Sequence, residues 1–143
     1  MKQDHVNYGA DGTLRLPKIE DARGNLSFIE HGERGQCPFE IERVYWIYDV
    51  PAGRERHGRA LRRTDELIVA MSGSFAVELT GADGRRSTTL LNRGDVALLV
   101  PHGTWRRLTE FSTNAVAMVL ASGPWDENEY IYDYETFTET YRD

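Results

Sequence analysis

The sequence has little of what marks secreted, membrane-spanning or disulfide-bonded proteins. Its 143 residues include one cysteine, Cys37, which excludes an internal disulfide and a thiolate metal cluster. No apolar run approaches the roughly 20 residues that span a bilayer, and residues 1–12 lack the apolar segment of a signal peptide. We therefore expect a cytoplasmic protein with no membrane partner.

Positive charge is also scarce, since 17 Lys and Arg stand against 23 Asp and Glu, for a net charge of −6. This balance predicts no nucleic-acid partner. The charges are nevertheless uneven, because five of the ten residues in 54–63 are arginine, whereas the tail from Asp126 onward carries seven acidic residues. Arginine clusters suit diphosphates and carboxylates, so an anionic small-molecule ligand is compatible with the acidic total. The alternative is a solvated loop balanced by the acidic tail.

Short alternating segments dominate the chain. Seven are rich in β-branched or aromatic residues: 25–30, 43–49, 66–71, 74–80, 86–91, 96–100 and 115–121. This pattern predicts an all-β sandwich or barrel, and the length fits one domain. We assign residues 1–13 to an N-terminal arm and 14–143 to the barrel domain. Turns are predicted at 81–84 and 92–95, and one or two short helical turns within 126–141.

The spacing that begins at Gly53 resembles the first cupin motif. In that motif a glycine is followed, after five residues, by His-x-His, and then by a glutamate and another glycine. Here Glu66 and Gly73 keep their places, but the histidine positions hold Arg59 and Leu61. The frame of the motif is intact, and its histidines are missing.

The second cupin motif is matched in the same incomplete way. Gly94, Pro101 and Gly103 keep the frame, while the final histidine position holds Arg106. Three of the four positions that bind metal in metal-containing cupins therefore carry Arg, Leu and Arg. A protonated guanidinium and an alkyl side chain have no lone pair for a metal, so we expect a barrel without one.

Longer blocks carry a more specific resemblance. They are 21–26, 38–49, 62–69 with 72–74, 100–101 with 104–105, 117–122 and 130–137. In order and spacing they resemble the sugar-nucleotide 3,4-ketoisomerases, cupins that convert a dTDP-4-keto-6-deoxyglucose into its 3-keto isomer in deoxysugar biosynthesis. The resemblance implies a jelly-roll barrel, a homodimer, no cofactor, and a pocket for a thymidine-diphosphate sugar.

The chain departs from this family at the residues that transfer the proton. A His-Ala-His segment does so in the family, with another histidine after the barrel tryptophan; here the chain has Arg59-Ala60-Leu61 and Arg106. The reaction needs a base for the C3 proton and a proton returned at C4, and imidazole, with a pKa of about 6.5, suits this task. Arginine and leucine do not. Either another residue is the base or the family reaction is lost.

Three residues are candidates for catalysis. Strand alternation would place positions 57, 59 and 61 on one face, so His57 is the substitute base, unless it lies in an exposed loop. Glu66 is the second candidate, although pairing with Arg59 or Arg106 would keep it ionised in a structural salt bridge. Tyr45 could polarise a carbonyl or pack in the core.

Five residues are candidates for substrate binding. The family match assigns Arg56 to a phosphate or sugar contact. Arg59 and Arg106 would make the cavity cationic, and could bind an anion or pair with Glu66. Trp105 and Tyr48 would line the pocket, with core packing as the alternative.

Three hypotheses for the function follow. The first is a metal-free 3,4-ketoisomerase with a relocated base. The second is an altered or inactive family member that only binds a nucleotide sugar. The third is a cupin repurposed for another isomerisation or cyclisation of an anionic substrate.

Overall fold

The structure is a computed structural model that describes residues 8–141. It contains twelve strands within that range, with a 3₁₀ turn between the last two strands and one α-helix after them. The strands are β1 Thr13–Arg15, β2 Lys18–Asp21, β3 Gly24–Ser27, β4 Arg43–Ile47, β5 Arg56–Leu61, β6 Glu66–Ser72, β7 Phe75–Thr80, β8 Arg86–Leu91, β9 Val96–Val100, β10 Trp105–Thr109, β11 Val116–Ala121 and β12 Tyr130–Ile131. The 3₁₀ turn is Glu127–Glu129, and helix α1 is Tyr134–Thr140.

Two five-stranded sheets form the body of the protein. The first has the order β1-β9-β6-β11-β4 and the second the order β12-β5-β10-β7-β8, with antiparallel pairing throughout. Successive strands from β4 to β7, and again from β9 to β12, cross from one sheet to the other. Strands β2 and β3 form a separate hairpin. The prediction of an all-β cupin barrel with a short C-terminal helical segment is confirmed.

Strand β6 shows how the sequence pattern relates to the layers. Its alternate residues Ile68 and Ala70 join the core between the two sheets, whereas Leu67 and Val69 join a second cluster on the other face of the first sheet. A strand buried on both faces reads as a continuous apolar run, as 67–70 does. Glu66 shares the inward face with Ile68, so a carboxylate lies inside the barrel.

The tail is attached to the second sheet. Asp126 caps the 3₁₀ turn and Asp133 caps α1, each accepting a hydrogen bond from a backbone N–H of its first turn. Phe137 of α1 packs with Ala60 and Ile131 in a third apolar cluster. The expected short helical turns within 126–141 are therefore present.

Two further expectations concern the N-terminal arm and the first predicted turn. Residues 1–7, most of the proposed arm, lie outside the described residues, and the first strand begins at Thr13 and pairs with β9. The hairpin turn at 81–84 joins β7 to β8, with Gly84 at φ +84°. None of the described helices is long and apolar enough to cross a bilayer.

We expect Gly58→Ala to destabilise the protein by about 1–3 kcal/mol, because an added Cβ would overlap a neighbouring indole. The Cβ added to residue 58 would lie 2.6 Å from Cε2 and Cζ2 of Trp105. Gly94→Ala is the matched control, since the nearest atom to its Cβ would be the Ala70 carbonyl oxygen at 3.8 Å. Urea unfolding measures both variants; equal midpoints would contradict the prediction.

Candidate functional site

A cavity of about 740 Å³ lies where strands β4, β5 and β10 meet the tail segment. Its wall contains one histidine and four arginines, together with tyrosines from β4 and the tail. The wall residues used below are Tyr45, Arg56, His57, Arg59, Arg106 and Tyr130. The structure thus brings together most of the residues that the sequence analysis selected.

A bulge in β5 shapes this wall. Arg106 on β10 faces Arg59 on β5, but Leu108 faces Arg56, so His57 and Gly58 together oppose one residue of β10. A bulge interrupts strand alternation and re-aims side chains. As a result Arg56 and His57, although adjacent, both line the cavity. His57 is an exposed residue of a strand, at the wall rather than in a separate loop.

A buried ionic network lies at the floor of the cavity. Arg59 Nη2 donates to Glu66 Oε2 at 3.2 Å, and Arg106 Nη1 donates to Glu66 Oε1 at 2.9 Å. The Tyr45 hydroxyl donates to Glu66 Oε2 at 2.6 Å and accepts from Arg59 Nη2 at 2.7 Å. Glu66 is 1% exposed, and Arg59 and Arg106 are 8% and 4% exposed. One carboxylate therefore holds two guanidinium groups at once.

The network fixes the protonation of its members. Burial by itself would raise the pKa of Glu66, but the charges of Arg106 and Arg59 and the hydrogen bond from Tyr45 lower it below its ordinary value. Burial raises the pKa of the Tyr45 phenol, with Arg106 opposing this and Glu66 adding to it. Glu66 is thus an ionised anchor. A carboxylate in that state is a weak base, which favours the structural salt bridge over the catalytic role among the two alternatives for Glu66.

The lowered pKa of Glu66 predicts an acid-dependent loss of stability. The contribution of the network is complete above the ordinary value of 4.5 and is lost as the pH falls through the lower pKa of the folded state. When melting temperatures are measured between pH 7 and pH 3, they should decrease once the pH is below about 4.5. The fall should be smaller in Glu66→Gln, and an equal fall in both proteins would contradict the assignment.

Two candidate residues are not among those that line the cavity. Trp105 alternates with inward-facing Arg106 on β10, so it points to the other face of the sheet and packs on Tyr134 and Phe137, as the packing alternative predicts. Tyr48 follows β4, is 60% exposed and is absent from the wall. A substrate contact by either residue stays a prediction. Glu66 lies beneath Arg59 and Arg106 and pairs with both, as its salt-bridge alternative predicts.

The tail supplies cavity residues that sequence reasoning missed. Trp125, Tyr130 and Tyr132 line the wall, and the rings of Tyr130 and Tyr132 stack at 5.5 Å with an interplanar angle of 11°. They reach the cavity because β12 pairs with β5. Glu129 secures this segment, accepting hydrogen bonds of 2.8 Å from the Arg63 N–H and the Thr64 hydroxyl. The high density of aromatic residues in 130–134 was the feature of the sequence that could have identified these cavity residues.

The described residues do not form a metal-binding site of the cupin type. Within residues 8–141 no group of three or more His, Cys, Asp or Glu side chains is placed to hold a metal ion. At the four cupin metal positions the structure has Arg59, Leu61, Glu66 and Arg106, of which Glu66 alone offers lone pairs to a metal and is already held by the two arginines. These residues do not fit a cupin metal site.

Two antiparallel sheets with an arginine-lined cavity between them, and cupin spacing along β5, β6 and β10, define a cupin-like barrel. The family model described as FdtA: WxcM-like, C-terminal matches residues 11–142, and the chain belongs to this family.

Characterised proteins in the comparison agree on one chemistry. The chain is 36% identical over 124 residues to the TDP-4-oxo-6-deoxy-α-D-glucose-3,4-oxoisomerase of Aneurinibacillus thermoaerophilus, covering 87% of each chain. It superposes on the TDP-quinovose 3,4-ketoisomerase WlaRB of Campylobacter jejuni with a TM-score of 0.83 and 34% identity, over 89% of this chain and 95% of that one. It superposes on the sugar 3,4-ketoisomerase QdtA of Thermoanaerobacterium thermosaccharolyticum, in complex with TDP, with a TM-score of 0.85 and 28% identity, over 91% and 93%.

Proposed function

We propose that this protein is a metal-free, cofactor-free sugar-nucleotide 3,4-ketoisomerase that acts on a TDP-4-keto-6-deoxyhexose in deoxysugar biosynthesis. One observation carries the proposal: the cavity places a histidine, His57, in the same wall as Arg56, Arg59, Arg106 and Tyr45. A titratable base beside a cluster of guanidiniums is what proton abstraction from an anionic keto sugar requires. The relatives that share the fold are named for this reaction.

The wall divides into parts suited to different portions of such a substrate. Arg56 is exposed, and a guanidinium there can take a diphosphate through paired hydrogen bonds. Tyr130 and Tyr132 offer aromatic faces to a sugar or a nucleobase. Arg59 and Arg106 form the floor, where the reacting carbons would lie if the sugar enters the position that the family histidines serve.

His57 is the proposed acid and base. It accepts the proton from C3, and in its protonated form it returns a proton at C4, so that the carbonyl moves from C4 to C3 with no net change in composition. The side chains that replace the family histidines cannot do this, because arginine stays protonated and leucine has no titratable group. Within residues 8–141, His57 is the histidine that lines the cavity.

We further propose a homodimer built from one barrel domain per chain. The edge strand β4 exposes Val44 and Trp46 on the face turned away from the core, with exposed fractions of 45% and 59%. An unpaired edge with apolar side chains favours association with a second sheet. Light scattering after size exclusion should give twice the mass of the 16.3 kDa chain; a monomer would contradict this.

Incubation with TDP-4-keto-6-deoxyglucose in deuterated water tests the function. We expect the 3-keto isomer to form, with deuterium at C4 of the product and at C3 of recovered substrate, both read by NMR. The absence of product and of deuterium at C3 would contradict the isomerase. If the nucleotide sugar bound in a thermal-shift assay without any exchange, the protein would be a binding member of the family instead.

A further inference from the structure

We propose that Arg59 and Arg106 form an oxyanion site that stabilises the enediolate of the isomerisation, and that Glu66 is the positioning residue that aims them. The inference rests on the proposed function and assigns a catalytic role to the two arginines that stand where the family has histidines. Its basis is the charge, the burial and the hydrogen bonding of the cavity floor.

The floor carries more positive than negative charge. Two buried guanidiniums, Arg59 and Arg106, pair with one carboxylate, Glu66, and the partly buried Tyr45 holds its proton. Burying a charge without compensation is costly, so a floor with one positive charge in excess favours an anion in the cavity above it. The wall adds the cations Arg43 and Arg56 and one acid, Glu55, which pairs with Arg107 at 3.0 Å.

The floor also has hydrogen-bond donors in excess. A guanidinium has five N–H groups, so Arg59 and Arg106 offer ten. Three recorded bonds connect these groups to Glu66 and Tyr45. Arg106 Nε is buried and has no hydrogen-bond partner among the described residues. A floor that only filled an old cavity would be expected to pair its buried donors more completely.

Glu66 binds the arginines from the side away from the cavity. Its two oxygens are divided between them, with Oε2 on Arg59 and Oε1 on Arg106. Both arginines line the cavity, and Glu66 does not. The carboxylate therefore fixes the planes of the guanidiniums before a substrate arrives. Donors held in place in advance stabilise a developing charge without reorganisation during the reaction.

The reaction creates a negative charge that suits this site. When the base takes the C3 proton, the electron pair of the C–H bond forms a C3=C4 double bond, and the carbonyl π pair moves onto O4 as an oxyanion. The proton of the C3 hydroxyl then passes to O4, C4 receives a proton from the base, and the electrons return to form the carbonyl at C3. The keto sugar portion is neutral before and after, so the arginines favour the intermediate over the ground state.

This role explains why arginines could replace histidines without loss of the reaction. Stabilising the enediolate makes the C3 proton more acidic, so one histidine at the wall suffices as the base. His57 then transfers the proton, and Arg59 and Arg106 stabilise the negative charge of the enediolate. The network that holds the charge consists of Arg59, Arg106 and the Glu66 that joins them.

Arg106→Lys tests the proposal, because lysine keeps the charge and loses the planar fork. We expect kcat to fall about 100-fold, which is typical for removal of one oxyanion donor, while the Kd for TDP-glucose changes less than about twofold. The sugar ring of TDP-glucose has no keto group and forms no enediolate, so this ligand reports ground-state binding alone. The matched control is Arg107→Lys, whose arginine does not line the cavity and pairs with Glu78 and with the wall residue Glu55; this variant should keep its kcat.

The outcomes separate this proposal from the function on which it rests. A wild-type protein that forms no 3-keto isomer would end the proposed function. An active wild type with an equally active Arg106→Lys variant would overturn the oxyanion site alone. Equal losses in kcat and in TDP-glucose binding would also overturn it, by making Arg106 a binding residue. Arg59→Lys, assayed in the same way, provides a second and independent test if Arg106→Lys fails to fold.

The positioning role of Glu66 has its own measurement. Glu66→Gln, assayed well below its melting temperature, should lower kcat at least 10-fold and leave the Kd for TDP-glucose unchanged. A residue that acted only on stability would leave the kcat of the folded fraction intact. Full kcat in the folded variant would therefore contradict the positioning role.

Discussion

Glu66→Gln should destabilise the protein by about 3–5 kcal/mol, because it removes the one carboxylate that neutralises two buried guanidiniums. The amide is close to the same size, so the loss comes from charge and hydrogen bonding and not from a cavity. Arg59 and Arg106 would stay protonated and be left without a counter-charge. In a chain of this length we expect the melting temperature to fall by about 10 °C or more at neutral pH.

Glu78→Gln is the matched control for that experiment. Glu78 pairs with Arg107 at 2.8 Å, but both side chains are more than one-third exposed, and exposed ion pairs contribute about 0–1 kcal/mol. Equal changes of the two melting temperatures would show that the network around Glu66 is no more important than a surface pair. Addition of a nucleotide sugar should not restore Glu66→Gln fully, because the missing charge lies below the cavity.

His57→Asn should lower turnover by about 10²–10⁴-fold, the usual contribution of a general acid or base. Asparagine keeps the size and polarity of the side chain but cannot accept and return a proton. Because His57 is exposed and makes no recorded hydrogen bond in the described chain, the melting temperature should change little. Activity is measured by formation of the 3-keto isomer, and proton abstraction by deuterium uptake at C3.

His102→Asn is the histidine control. His102 lies in the turn before β10 and is held by Asp65, its Nδ1 at 2.8 Å from Oδ1, and it does not line the cavity. The control should retain full turnover. If His57→Asn kept full activity as well, the base would have to be another residue of the wall, and Tyr45 would be examined next, because its hydroxyl lies in the floor network.

The two expected effects test different parts of one arrangement. The Glu66 substitution affects folding in addition to its predicted effect on kcat, since the network lies below the cavity and stabilises the barrel. The His57 substitution affects chemistry, since the imidazole stands at the wall. An inactive but fully folded His57→Asn variant, together with an unstable Glu66→Gln variant, would support this division of the site. His57 would then be the residue that transfers the proton, and the network around Glu66 the fixed cationic floor.

Strand and turn positions were largely accessible from the sequence. Period-two alternation located β4, whose burial alternates with the backbone pleat, whereas short runs of β-branched and other apolar residues located β6, β7 and β9. Strands β5 and β10 were not among the predicted segments, because Arg59 and Arg106 place charge on an inward face where apolar residues are expected. The same arginines were the evidence that the site differs from the metal-binding cupin pattern.

The placement of the aromatic residues depended on the fold. On sequence grounds Trp105 and Tyr48 were pocket residues, whereas Trp125, Tyr130 and Tyr132 fill that place. Which face a tryptophan takes depends on the register of its strand, and Arg106, its neighbour, faces inward. The tail reaches the cavity only because β12 adds to β5, a pairing that no local pattern reveals.

The sequence by itself determined that this chain forms a β-barrel with cupin spacing, and that arginine and leucine stand where histidines bind metal or carry protons. These are local properties, set by residue type and spacing. Only the tertiary structure decided that Glu66 joins both arginines, since Arg106 lies 40 residues away in the chain. It also decided that a bulge in β5 lets the adjacent Arg56 and His57 both line the cavity. The physical reason is that pairing between distant strands sets which charges share a low-dielectric interior.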